Sequence, residues 1–238
     1  AAEGMWPLDE LPLGRLKQDY DFKPDSELLQ QMQLGTLRLS GGCSGSFVSP
    51  QGLVLTNHHC VSRCLAQLSG TDNNLFEQGF QAETLADEAI CPQLEAQQLQ
   101  SISDVTASID AASKDLSAAQ ASSARAAAKS ALQEACEDGN WQIRCEIVSL
   151  HHGAQHKLYK YQRFQDVRLA FAPESQIARF GGSTGSAKFP RYALDFSLLR
   201  IYQQQKPYSS DHYFRASTQG PQPDELLLVT GHPGSSQR

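Results

Sequence analysis

Residues 42–60 read Gly-Cys-Ser-Gly-Ser-Phe-Val-Ser-Pro-Gln-Gly-Leu-Val-Leu-Thr-Asn-His-His-Cys, and the rest of the sequence is organised around them. Apolar residues alternate with small ones up to Val48. Pro50-Gln51-Gly52 follows as turn material, because Pro presets φ and Gly accepts positive φ. Leu53-Val54-Leu55 is a second short apolar run, so the segment predicts a β-hairpin. Cys43 stands at its start and Cys60 at its close, placed to clip it. Between them the second strand runs into two adjacent histidines, His58 and His59.

A chain of 238 residues is long enough for one large domain or two small ones with a real core. With 40% hydrophobic and 19% charged residues it reads as ordinary globular material. A net charge of -6 argues against a nucleic-acid partner, whose footprint would be basic. No apolar run is long enough for a helical membrane span. Six cysteines, an even number, fall in clip-like pairs at 43 and 60, 64 and 91, and 136 and 145. That pattern predicts three disulfides and an oxidising compartment, periplasmic or secreted, with a signal peptide already removed.

Outward from the hairpin, Asp25 or Ser26 caps a short helix over Leu28–Met32, and Leu37-Arg38-Leu39 is a first strand. Cys60–Cys91 reads as loop and short helix. Ile102–Cys136 is rich in Ala, Ser and Gln and lacks Gly and Pro, which predicts one long helix or a helical pair. Asp138-Gly139-Asn140 ends it. Gln142–Leu150, Leu158–Ala172 and Arg191–Gln203 carry strand patterns, and Leu226–Thr230 reads as a short buried strand. The fold expected is mostly β with a helical insertion. The boundaries are a first part at 1–101, the insertion at 102–138 and the rest of the β structure at 139–238.

A histidine acting as general base needs a carboxylate on its other ring nitrogen. Asp195, ahead of Phe196-Ser197-Leu198-Leu199-Arg200, is the best candidate. Strand neighbours face opposite ways, so only one of the two histidines can face a cleft. His59, beside the clipping cysteine, is taken as the base and His58 as structural. The pair predicted to be catalytic is therefore His59 and Asp195. The nucleophile expected with them, a serine in a Gly-x-Ser-Gly turn after the aspartate, has no match downstream of Asp195. Ser44 and Ser46 precede the histidine on the same hairpin and read as small residues at a tight approach. A rival metal site could be drawn from His151, His152 and His156, the last two spaced i,i+4. No Glu lies between them, and the region reads as loop or strand.

These features resemble the bacterial periplasmic dipeptidyl peptidases 7 and 11, chymotrypsin-like serine exopeptidases. The likeness runs through Glu3-Gly4-Met5-Trp6, Gly42–Ser49, Thr56–Cys60, Gly79-Phe80-Gln81-Ala82 and Asp87-Glu88. It continues through Asp166–Leu169, Ala172-Pro173, Phe180-Gly181-Gly182, Pro190-Arg191, Asp195-Phe196-Ser197 and Gly231–Gly234. The resemblance implies the first antiparallel β-barrel of a double-barrel peptidase. His59 would be its base and Asp195 the orienting acid, with the nucleophilic serine in a second barrel beyond a helical domain. It implies release of dipeptides from peptides with a free N-terminus, no metal or cofactor, and a homodimer. The remainder of the enzyme would be the chain's own partner, and this chain alone would be inactive.

One departure stands out. Where the resembled enzymes carry an Asp-x-Asp-Asn-Trp run that holds the substrate's ammonium, this chain has Ser183-Thr184-Gly185-Ser186-Ala187. Ser186 and Ala187 take the Asn and Trp positions as candidate substrate-binding residues, and they offer a cation far less than an amide and an aromatic face do. The alternative reading is therefore a catalytically degenerate peptide-binding or scaffolding protein on the same fold.

Overall fold

A computed structural model describes residues 5–178 and 193–232. The chain divides into two compact units, 1–96 with 164–238, and 97–163. In the first unit, α1 (Leu13–Tyr20) and α2 (Ser26–Gly35) precede β1 (Thr36–Leu39), β2 (Cys43–Phe47) and β3 (Leu53–Thr56). Next come α3 (His58–Leu68), α4 (Leu75–Gln78), β4 (Phe80–Gln81) and β5 (Ala89–Ile90). Elements β6 (Ala96–Asp104), α5 (Thr106–Ala112), α6 (Ala118–Glu137), β7 (Ile143–Leu150) and β8 (Gln155–Phe164) make up the second unit. The chain returns to the first with β9 (Asp166–Ala172), α7 (Ser175–Ala178), β10 (Ser197–Gln203) and β11 (Lys206–Pro207).

The first unit's strands run in the order β4-β9-β10-β3-β2-β1, with β11 beside β10 and β5 beside β9. The hairpin expected at 42–60 is β2 and β3, paired antiparallel with Phe47 opposite Val54. Gly52 makes its turn possible: its φ is +68°, and a Cβ there would meet the Ile201 carbonyl at 2.8 Å. Gly45 is the tight approach of the hairpin, since a Cβ there would meet Val54 Cγ1 at 2.8 Å. Leu37, Leu39, Phe47, Val54, Val61, Leu65, Leu169, Leu199 and Ile201 build the core between this sheet and α3.

Three expectations are corrected here. The sheet is open rather than closed into a barrel: among the described residues its strands form an open path whose end strands do not pair with each other. The β10 strand begins at Ser197, not at Arg191, and Ala193–Phe196 carry no ladder. Leu226–Thr230 is neither strand nor buried: Val229 is 94% exposed, and no strand among the described residues pairs with it. Its apolar composition matched a buried strand, but a strand also requires a partner for its backbone.

In the second unit β8 lies between β6 and β7. The helix-rich stretch forms two helices, separated where Asp115 adopts φ +59°. Ser117 and Gln120 form a capping box at the start of α6, and Asp138 ends it in the left-handed conformation. All three expected disulfides are present, Cys43–Cys60, Cys64–Cys91 and Cys136–Cys145.

Polar groups are also fixed inside the first unit. Glu88, buried, accepts from Arg200 Nε at 2.8 Å through one oxygen and from the Tyr202 hydroxyl at 2.8 Å through the other. Burial and this carboxylate push the Tyr202 hydroxyl up to about 12. Arg200 also donates to the Gln51 carbonyl at 2.8 Å, tying β10 to the hairpin turn. Removal of one partner from a buried ion pair typically costs about 3–5 kcal/mol. Glu88→Ala is expected to lose that order of stability in chemical denaturation.

Near the C-terminus, Ser44 Oγ accepts the His232 backbone N–H at 2.7 Å, which holds this segment on β2. Burial, aided by the Arg38 charge, lowers the His232 ring from 6.5 to about 4. Between these values the unfolded chain binds a proton that the folded chain refuses, so stability falls as pH drops through this window. The shift corresponds to about 3 kcal/mol at its limit. His232→Gln should flatten the pH dependence of unfolding between pH 6.5 and about pH 4 relative to the parent, as read by denaturant midpoints.

Candidate active site

The end of β3 and the start of β10 create the site. Thr56 pairs with Ser197, so the residues just after Thr56 face those just before Ser197. The chain turns into α3 at His58, instead of continuing as a strand as expected. The two histidines therefore diverge by the helical step and not by strand alternation. His58 is fully buried and its ring packs near Phe76, with centroids 5.8 Å apart. His59 is directed outward, its side chain 60% exposed. The Cys43–Cys60 disulfide joins the start of β2 to the residue after His59, fixing the first turn of α3.

His59 and Asp195 are brought together. His59 Nδ1 lies 2.9 Å from Asp195 Oδ2, and the His59 backbone N–H donates to Oδ1 at 3.1 Å. Burial raises the Asp195 carboxyl, but the bonds from the His59 ring and N–H, the His59 charge and the bond from Asn57 outweigh it, so it lies below its ordinary value. An ionised carboxylate only accepts hydrogen bonds. Nδ1 must then carry a proton, and in the neutral ring Nε2 is left as the acceptor. That tautomer makes the ring a proton acceptor held from behind by a carboxylate.

Asn57 belongs to the same arrangement and was not singled out in the sequence. Its Nδ2 donates to the Asp195 carbonyl at 3.0 Å and to Oδ2 at 3.2 Å. Its only signal was position, immediately before the paired histidines. Ser44, weighed as a nucleophile, is engaged with the His232 backbone instead. Ser186 and Ala187 lie outside the described residues. The histidine trio is not assembled: His156 is buried with Nδ1 3.0 Å from Ser149 Oγ, while His151 and His152 sit in a separate 3-10 turn. Among the described residues the one cluster with metal-ligand spacing is Cys43, His59 and Cys60, whose two sulfurs are joined to each other and offer no thiolate.

Fold and site together define an antiparallel β protein that presents a carboxylate-held histidine at an exposed edge. The Peptidase S46 family profile matches residues 1–238, and the chain belongs to that family. It is 29% identical to dipeptidyl-peptidase 7 of Porphyromonas gingivalis, across all of this chain and 36% of that protein. With the Asp/Glu-specific dipeptidyl-peptidase of the same organism it shares 31% identity, again over all of this chain and 36% of that one. The crystal structure of Porphyromonas endodontalis DPP11 bound to the dipeptide Arg-Glu superposes with a TM-score of 0.76 at 26% identity, covering 93% of this chain and 35% of that chain. The chain thus spans about a third of the length of these relatives.

The balance of forces on Asp195 can be tested directly. His59→Ala removes the ring bond and its charge but leaves the burial, so the Asp195 carboxyl should titrate at higher pH in the variant. Carbon-detected NMR of the aspartate carboxyl carbons reads the shift.

Proposed function

We propose that this chain forms the His- and Asp-bearing part of a serine-type dipeptidyl peptidase. The observation that carries the reading is the His59–Asp195 contact, 2.9 Å long, in a chain matched throughout by the Peptidase S46 family. In the proposed reaction a serine supplied by the remainder of the enzyme attacks the second peptide bond from a free N-terminus. His59 Nε2 takes the hydroxyl proton as the tetrahedral intermediate forms, then gives it to the departing amine. Asp195 keeps Nδ1 protonated and balances the imidazolium charge that develops between the two transfers. Water then cleaves the acyl-enzyme by the same proton path. The chemistry of these residues calls for no metal or cofactor.

The three disulfides support an oxidising location, periplasmic or secreted. The dipeptide in the DPP11 complex supports a peptide substrate for this chain as well. The change to Ser183–Ala187 points to altered handling of the substrate's ammonium.

The test is hydrolysis of dipeptidyl chromogenic substrates by the protein as its gene encodes it, beside residues 1–238 alone. The full protein is expected to turn over and the 238-residue chain to be inert. His59→Ala and Asp195→Asn should each lower kcat by roughly a thousandfold or more, as loss of base or tautomer control does in such triads. Turnover by residues 1–238 alone, or a full protein inert on every dipeptidyl substrate, would overturn this reading; the inert result would favour a binding role.

A further inference from the structure

The His–Asp pair is exposed, which raises the question of what keeps the carboxylate in place. The Asp195 side chain is 36% exposed and lies ahead of β10, outside the sheet ladder. A carboxylate there has water as a ready alternative partner and no strand pairing to fix its backbone. Three donors converge on it: the His59 ring, the His59 N–H and the Asn57 side chain. Of the His59 donors, the ring is the group that Asp195 is meant to orient, while the backbone N–H, fixed in the first turn of α3, holds Oδ1 and not the oxygen that meets the ring. Among the described residues, Asn57 is the side chain outside His59 that donates to Oδ2.

The geometry of Asn57 suits that role. One amide nitrogen reaches both the main-chain carbonyl of Asp195 at 3.0 Å and its Oδ2 at 3.2 Å. An amide NH2 has two hydrogens, one for each acceptor. Holding carbonyl and carboxylate of the same residue from one point fixes the backbone position and the side-chain rotamer together. Asn57 is itself set by its neighbours: Thr56 before it is locked in the ladder with Ser197, and its own carbonyl accepts the Cys60 N–H at 3.1 Å in the first turn of α3. Moreover, Oδ2 is the same oxygen that meets His59 Nδ1, so the Asn57 bond acts on the oxygen that orients the ring.

We propose that Asn57 is a positioning residue for the proton-transfer pair: its amide clamps Asp195 so that Oδ2 is presented to His59 Nδ1 before substrate arrives. Asn57 acts through Asp195 and takes no proton itself. This role rests on the peptidase reading for its effect on rate, but the clamp can be measured without any activity.

Two substitutions separate a clamp from a merely structural asparagine. Asn57→Ala deletes the donor. Asn57→Asp keeps the shape, replaces the donor by an acceptor and adds a charge beside Asp195. Charged and titratable groups lie near the ring. Asp195 is the acid hydrogen-bonded to it, buried His58 precedes it on α3, and Arg63 one turn later donates to Gln93 Oε1. Without the clamp, Asp195 is free to rotate into water and supports the imidazolium less. The acid limb of kcat/KM against pH should then move to lower pH in Asn57→Ala, and the added negative charge should move it to higher pH in Asn57→Asp.

In the full protein, kcat is expected to fall about 10- to 100-fold in both variants with KM within about twofold, the pattern of a lost transition-state interaction. The ring titration of His59, followed by NMR in the same protein, should move in the same opposite directions. The Nδ1–H resonance should broaden in both variants through solvent exchange. Opposite movement of the ring titration without any turnover would uphold the clamp and refute the peptidase reading. Full turnover with unmoved pH limbs and an unmoved Nδ1–H resonance would refute the clamp alone.

Discussion

The register between β3 and β10 is the constraint on which the site depends. Thr56 opposite Ser197 sets which residues leave the ladder together. A slip of one residue would turn every side chain of β10 to the other face, exposing Leu199 and Ile201 and burying Leu198 and Arg200. The core therefore protects the register, since Leu199 and Ile201 are fully buried against Val54 and Val167. The site inherits its precision from this packing. Asn57 and His59 arrive opposite Asp195 because the apolar residues of β10 further along cannot be accommodated any other way.

Two further ties keep the ends of this arrangement from fraying. The Cys43–Cys60 disulfide connects the start of β2 to the first turn of α3, and Thr56 Oγ1 donates to the Ser44 carbonyl at 2.8 Å between the same strands. At the opposite end of the hairpin, Arg200 binds the Gln51 carbonyl while Glu88 holds the guanidinium. The strand that carries Asp195 at one end is thus locked to the hairpin at the other. Cost and benefit are unequal at the two ends. Glu88 is buried and Arg200 half-buried, each with its partners, whereas His59 and Asp195 remain accessible to water.

Much of this was legible in the sequence because it rests on local signals. Pro50-Gln51-Gly52 declared the turn, the alternating apolar residues declared β2 and β3, and the spacing of Cys43 and Cys60 declared the clip. His59 and Asp195, chosen from residue type and order, do lie within one hydrogen bond. What was misread depended on non-local facts. The sheet's openness depends on which strands meet at its ends, which no local pattern encodes. Leu226–Thr230 has the composition of a buried strand, but its exposure depends on which segments surround it. His58 and His59 were separated by strand logic when a helix begins there, because a chain carrying strand-like residues up to Thr56 gives little warning of the change in period. Asn57 escaped notice because it was read as part of a strand end and, unlike the histidines beside it, carries no titratable group. Its side chain makes no capping bond and is directed to Asp195 instead.

The groups that orient His59 and Asp195 come from a compact set of elements. Everything that fixes the His59–Asp195 geometry comes from β3, the first turn of α3 and the residues ahead of β10, and it is held by core packing and a disulfide. Ser183–Ala187, by contrast, lie in sequence between α7 and β10, outside the elements named here. Loss of catalysis would be expected to relax selection on a part-exposed carboxylate and its three donors, since they do little for stability at a solvent-facing edge. Their presence in bonding geometry is therefore consistent with the proposed proton-transfer role of His59 and Asp195.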